Sequence, residues 1–325
     1  MTNAAAKKTS LSGILKTGAK FLFSGTLLYW LIKTDKLQLS SLLLLQEKPA
    51  ILIALIGIWL TGIFLCSVRW KFLLDAISIP TAYTKSLYIT CVSCAFTSFL
   101  PGTMGSDVVK AVYISKNQSK RGGAFFSIFL DRVCGFTGLS FLATMVSICN
   151  YGLLRQSPSI QLAALSCALM FLTSLSFILF LLFGAKIPLP AKIKKKVFAN
   201  PQIAFLTSVY ANQQYAIFRA LLVSLVIHTC FISGYFAVTL ALNPGPVAFF
   251  STAILVALGV TFSSLPISPA GVGVGHFAFE ELFSLAGLHN GANVFNIVFC
   301  THTALNLLGF IPFLLGKRPP GARLP

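Results

Sequence analysis

Two short regions hold most of the residues whose chemistry goes beyond packing. The first is Thr97-Ser98-Phe99-Leu100-Pro101-Gly102-Thr103-Met104-Gly105-Ser106-Asp107, with Lys110 three residues later. The second is Ser263-Ser264-Leu265-Pro266-Ile267-Ser268-Pro269-Ala270-Gly271-Val272-Gly273-Val274-Gly275-His276, with Glu280 one helical turn beyond. Pro101, Gly102, Gly105, Pro266, Pro269, Gly271, Gly273 and Gly275 mark these as breaks between apolar runs. A third feature, Asp131-Arg132, begins about eight residues inside an apolar run, where Arg or Asp costs about 2.5–3.5 kcal/mol on insertion scales. Such residues face a protein interior or a water-filled cavity and mark substrate paths. Asp131 and Arg132 point about 100° apart on a helix and are poorly placed to pair with each other. The plain alternative is an interfacial pair with the arginine snorkelling to the headgroups. Asp107 and Lys110 share a helix face, and Asp107 is also suited to cap a helix start. His276 and Glu280 face the same way, and the glycines before them leave N–H groups open to an anion.

This chemistry is recognition of a charged group, and no signature of bond making accompanies it. The sequence has no HExxH, GxSxG, Walker A or Asp-rich cation-binding motif. The spacing at Gly271, Gly273 and Gly275 is GxGxG with no preceding strand, which is not a nucleotide fingerprint. Eight cysteines sit singly in apolar segments, and Cys91 and Cys94 form the only CxxC. At helical spacing those two read as membrane neighbours rather than metal ligands. No catalytic residue, metal or cofactor is expected. His228 and His302 stand alone in apolar spans and read as packed or hydrogen-bonded.

The elements that must position these residues are transmembrane. Of 325 residues, 56% are hydrophobic and 10% charged, against about 25% charged in a soluble domain; the mean hydropathy is +0.84. Residues 14–32, 50–68, 124–148, 160–183, 217–240, 247–265 and 294–315 each approach or exceed the roughly 20 residues that cross a bilayer. Only helices satisfy their own backbone there, and no alternating barrel pattern appears. The expected fold is therefore all-α: a polytopic transmembrane helical bundle forming one domain over residues 14–316, with short tails at 1–13 and 317–325. The first stretch is too long for a signal-peptide core and has no small-residue cleavage site, so it reads as a retained anchor.

The 25 Lys and Arg against seven acids point to cytoplasmic loops rather than nucleic acid. With the amino terminus inside, twenty of them fall on the inner side and Lys33, Lys36, Lys48 and Arg155 on the outer, with Arg132 within a span. Both termini are then cytoplasmic. The run ahead of the first break is short for a span and is flanked by Lys85 on one side and Lys110 and Lys116 on the other. That fits a re-entrant hairpin entered from the cytoplasm. The second break then lies in a hairpin entered from outside, although 247–265 is long enough for a full span and two crossings remain open over 247–287. Span, hairpin and span would thus recur in opposite orientations, as an inverted repeat of the kind that places substrate sites near the midplane. On that expectation Thr103, Ser106, Ser268 and Gly273 border a shared polar cavity.

The motifs resemble those of the lysylphosphatidylglycerol synthase transmembrane family. Leu100-Pro101-Gly102-Thr103-Met104-Gly105-Ser106-Asp107-Val108-Val109-Lys110-Ala111 is similar to its PGGxGGDxxR region. Ala124, Ser127, Asp131-Arg132 and Gly135 are similar to its A…S…(E/D)R…G segment. Residues 265–275 are similar to its LPxxPGGxGxxE segment. The likeness covers roughly residues 10–317. Lys110 stands where arginine is common, and His276 where an acid often follows the glycines. The resemblance implies a flippase-like lipid module, separate from the soluble aminoacyltransferase domain that makes the lipid in some relatives.

The reading is of a bacterial inner-membrane protein that translocates a phospholipid or other amphipathic lipid between leaflets. Its partner is a membrane lipid with an anionic phosphate headgroup. Arg132 and the glycine-rich N–H groups would meet the phosphate, and Asp107 and Glu280 a cationic or hydroxylated part. Lys110, Asp131 and His276 complete the candidate set. The rivals are a membrane component of an aminoacyl or glycosyl transferase system, working with a separate lipid-modifying enzyme, and a non-transporting partner subunit.

Overall fold

The computed structural model describes residues 38–97, 105–115, 121–186, 201–265 and 267–314, with 22, 25, 26, 28–30, 32 and 33 before them and Ala199. Most of the expected first span, 14–32, lies outside the described residues, as do Pro101, Gly102, Thr103 and Pro266. The main helices are α1 (Pro49–Ala76), α2 (Tyr83–Thr97), α3 (Gly105–Ser115), α4 (Arg121–Cys149), α5 (Pro158–Phe183), α6 (Pro201–Tyr210), α7 (Gln214–Leu242), α8 (Phe249–Ser263), α9 (Val274–Leu285), α10 (Gly291–Leu307) and α11 (Phe310–Leu314). No strand occurs among the described residues. Among the described residues five helices are long and apolar enough to cross a membrane: α1, α4, α5, α7, and α10 continued through α11. Proline opens α1 and α5, where the missing N–H would have had no helical partner.

The lipid-facing side follows from which apolar residues stay uncovered. On α5, Leu162, Leu165, Leu169 and Leu172 are all more than half exposed, a stripe that water would not tolerate and acyl chains would. The α5 hydroxyls of Ser166, Thr173 and Ser176 donate to carbonyls four residues back, so they need no other partner in hydrocarbon.

α1 and α7 run antiparallel through the centre. Arg69 approaches Ser224, Gly62 lies under Phe231, and Gly234 lies under Leu55 and Ile58. Around this pair the contacts repeat. α1 packs on α2 and α4 as α7 packs on α8 and α10; α2 pairs with α3 as α8 pairs with α9; α3 meets α4 as α9 meets α10. The exchange extends between units, since α4 packs on α8 and α7 while α10 packs on α2 and α1. Two units of like connectivity and opposite direction are the inverted repeat expected from the sequence.

The hairpins enter from opposite ends. One buried apolar cluster joins the last turns of α1, the first half of α4 and the end of α5 to Ile89 of α2 and Ala111 and Ile114 of α3. The other joins Leu55, Ala143, Ile160 and Val238 to α8, α9 and the first half of α10. The open choice over 247–287 resolves into a hairpin: α8 has 15 residues and α9 has 12, about 22 and 18 Å at 1.5 Å per residue, short of a bilayer's roughly 30 Å. The turn between them carries Ala270, Gly271 and Gly273 at φ of 51°, 78° and 80°. Gly271 is constrained twice, because a Cβ there would also lie 2.7 Å from the Ser263 carbonyl oxygen.

Candidate functional site

The first hairpin is fastened to the bundle by charge. α4 turns Asp131 toward α1 and α3, on the face that also carries Ser127 and Gly135. Its neighbour Arg132 falls on the next face, with Phe129 and Phe136. Asp131 Oδ1 accepts from Arg69 Nε at 2.7 Å, and Oδ2 from Lys110 Nζ at 3.3 Å. The Arg69 guanidinium also donates to Ser224 Oγ at 3.0 Å. Lys110 Nζ sits 4.9 Å from the Trp70 ring centroid, and Trp70 Nε1 donates to Ser127 Oγ at 3.3 Å. Arg132 pairs with Asp107. The two charges of α3 therefore bind the two consecutive charges of α4 rather than each other.

The two pairs differ in depth. Side-chain exposure is 8% for Arg69 and 7% for Asp131, but 35% for Arg132 and 23% for Asp107. Removing one member of a buried pair strands the other and costs about 3–5 kcal/mol. An open pair contributes about 1 kcal/mol or less. The inner network is a structural clamp and the outer pair stays partly open.

A cavity of about 690 Å³ lies beside this cluster, between α4, α5 and α7 and the tip of the second hairpin. Phe129, Val133, Phe136 and Leu139 of α4, Phe177 of α5, and Ile227 and Phe231 of α7 make its walls apolar. Arg69, Arg132 and His228 supply the strongly polar edge, with Thr173, Ser174 and Ser264. Gly135 permits this edge: a Cβ there would lie 2.9 Å from an Arg69 guanidinium nitrogen. His228 Nε2 lies 2.9 Å from the Gly135 carbonyl oxygen; that oxygen only accepts, so Nε2 carries the proton. Among the described residues the cluster holds three cations and two carboxylates. An apolar chamber with a guanidinium edge can hold an anionic group that is attached to hydrocarbon.

Of the residues singled out in the sequence, Asp107, Lys110, Asp131 and Arg132 come together here. His276 and Glu280 do not. His276 Nδ1 accepts from the Gly273 N–H at 3.4 Å, and Nε2 lies 3.3 Å from Asn296 Oδ1. Glu280 Oε2 accepts from the Ala292 N–H at 3.0 Å, in the first turn of α10. Both side chains tie α9 to α10. Gly105 opens α3, Pro269 opens the short 3-10 turn Pro269–Gly271, and Gly275 seats the Phe295 ring. The cavity reaches the second break at Ser264 and Leu265. Ser106, Ser268 and Gly273 are not among its lining residues, and Ser268 is 1% exposed. The walls are also more apolar than the polar chamber expected from the sequence.

The sequence reading missed Arg69, Trp70 and Ser224. Arg69 directly follows the run 50–68 and is one of the twenty basic residues of the inner side, yet Phe72-Leu73-Leu74 continue the apolar run past it, and that continuation is the available signal. His228, expected to be hydrogen-bonded in its span, is so, and it also faces the cavity. No group of three or more metal-ligating side chains occurs among the described residues.

No curated protein and no solved structure matches the chain. The model of the family described as the lysylphosphatidylglycerol synthase TM region matches residues 19–308. The match spans most of the sequence and all of the charged clamp, and the chain belongs to that family.

Proposed function

We propose that this protein translocates an amphipathic lipid with an anionic, phosphate-bearing headgroup between the leaflets of a bacterial inner membrane, with both termini on the cytoplasmic side. The observation that carries the reading is the pair of guanidinium groups, Arg69 and Arg132, on the edge of an otherwise apolar cavity within the bundle. The volume falls in the range of small-molecule sites, about 300–1,000 Å³. Arginine is suited to the phosphate because its planar fork binds oxyanions with two parallel bonds and stays charged when partly buried. Phe129, half exposed, and Thr173 lie at the seam of α4 and α5, where acyl chains could remain in the bilayer while the headgroup enters. Opposed hairpins support the same reading, since irregular backbone at membrane depth survives where it borders protein or a cavity.

The test is leaflet exchange of fluorescent phosphatidylglycerol in proteoliposomes, read by dithionite quenching, beside fluorescent phosphatidylcholine. Exchange of the anionic lipid above protein-free vesicles, lost in Arg132→Ala, is expected. Equal rates with and without protein would refute the proposal.

A further inference from the structure

The two ion pairs joining α3 to α4 point to a division of labour between them. Lys110 and Asp131 are sealed together with Arg69, while Asp107 and Arg132 are partly open. Of the four residues in these two pairs Arg132 alone lines the cavity, with Arg69 on the same edge. An anion entering the cavity therefore meets a guanidinium that already holds a carboxylate. A phosphate oxyanion and a carboxylate bind the same fork of donors, so one can replace the other without leaving the arginine unpaired. The carboxylate released is the more exposed of the two in the cluster, and it lies in the first turn of α3, directly after the break. Lys110 sits about 4.5 Å further along the same helix, and its bond to Asp131 is not touched by the exchange.

We propose that Asp107 is an internal competitor for the lipid's anionic group. It occupies Arg132 when the cavity is empty, and the headgroup displaces it. The start of α3 then comes free from α4 with Lys110 as the pivot, and the return of Asp107 expels the lipid. Asp107 is thus a positioning residue that sets release. The idea rests on the lipid translocation proposed above and deepens it by naming the step that ends each cycle.

Removing the competitor should tighten binding and slow release together. If Asp107 holds Arg132 for about two thirds of the time, its loss lowers the half-saturating lipid fraction about threefold. The exchange assay is run over a range of phosphatidylglycerol mole fractions with wild type, Asp107→Asn, Asp107→Ser and Asp107→Glu. Both neutral variants are expected to show a lower half-saturating fraction and a lower maximal rate, and Asp107→Glu, which keeps the carboxylate, should recover both. A neutral variant with unchanged or raised half-saturation overturns the proposal. So does a maximal rate that falls only in step with thermal stability. Binding of the same fluorescent lipid to wild type and Asp107→Asn in detergent is measured in parallel. If wild type exchanges no lipid, translocation fails as a reading, and the binding comparison still decides the competitor: tighter binding by Asp107→Asn supports it, and equal binding refutes it.

Discussion

Asp131 and Arg132 are consecutive in the chain, yet they bind on different sides of α4: Asp131 inward to Arg69 and Lys110, Arg132 to Asp107 beside the cavity. The helical twist between neighbours makes this possible, because it gives each charge its own set of partners. It also separates a buried charge from one that stays partly open to the cavity.

The separation has a measurable consequence. Asp131→Ala strands Arg69 and Lys110 and should destabilise the protein by about 3–5 kcal/mol, and Arg69→Ala, which leaves Asp131 with Lys110 alone and empties a buried site, should cost about 3 kcal/mol; both are seen as poor yield and a lower Tm in detergent. Arg132→Ala should cost about 1 kcal/mol or less while abolishing exchange of anionic lipid. Glu280→Gln, which weakens the cap on Ala292, should cost about 1 kcal/mol and leave exchange per folded molecule near wild type. Equal stability across Arg69→Ala and Arg132→Ala would contradict the assignment of roles.

Glycine substitutions divide by what a methyl group would meet. A Cβ at Gly291 would lie 2.2 Å from the Phe279 carbonyl oxygen, and one at Gly309 would lie 2.1 Å from that of Cys91. Backbone cannot step aside as a side chain can, so Gly291→Ala and Gly309→Ala should each destabilise by about 1–3 kcal/mol. A Cβ at Gly57 or Gly152 meets nothing within 4 Å, and alanine there should be neutral or slightly stabilising through helix propensity. Thermal denaturation of the four variants checks the ordering.

Thiol labelling distinguishes the cavity from its surroundings. Cys66 already lines it, so the experiment uses a background freed of native thiols. Thr173→Cys and Ser264→Cys should react with a small water-soluble maleimide faster than Ser268→Cys, which is buried beyond the cavity wall, or Leu142→Cys. Equal reactivity at Ser264 and Ser268 would place the water-accessible boundary elsewhere.

Reporter fusions address orientation. Those after Lys8, within residues 192–196 and after Arg318 should read cytoplasmic, and those near Gln38 and Gln156 external. An external signal at Lys194 would reverse the proposed orientation of the bundle.

The sequence by itself determined the class of the molecule and the places where it breaks. Long apolar runs without internal charge can close their hydrogen bonds only as helices in lipid, so all-α architecture followed from composition and run length. The second Leu-Pro step, with small residues after it, located the turn between α8 and α9, and Asp107, Lys110, Asp131 and Arg132 stood out, together with His276 and Glu280, because polar and charged groups are costly in a bilayer. Partnership was decided only by the tertiary structure. Arg69 lies 62 positions from Asp131 in the chain, and Ser224 lies 155 from Arg69; no local periodicity relates residues brought together by helix crossing. The same limit hid the roles of His276 and Glu280. Their spacing put them on one face of α9, but only the packing of α10 against that face turned them toward Asn296 and Ala292 and away from the cavity.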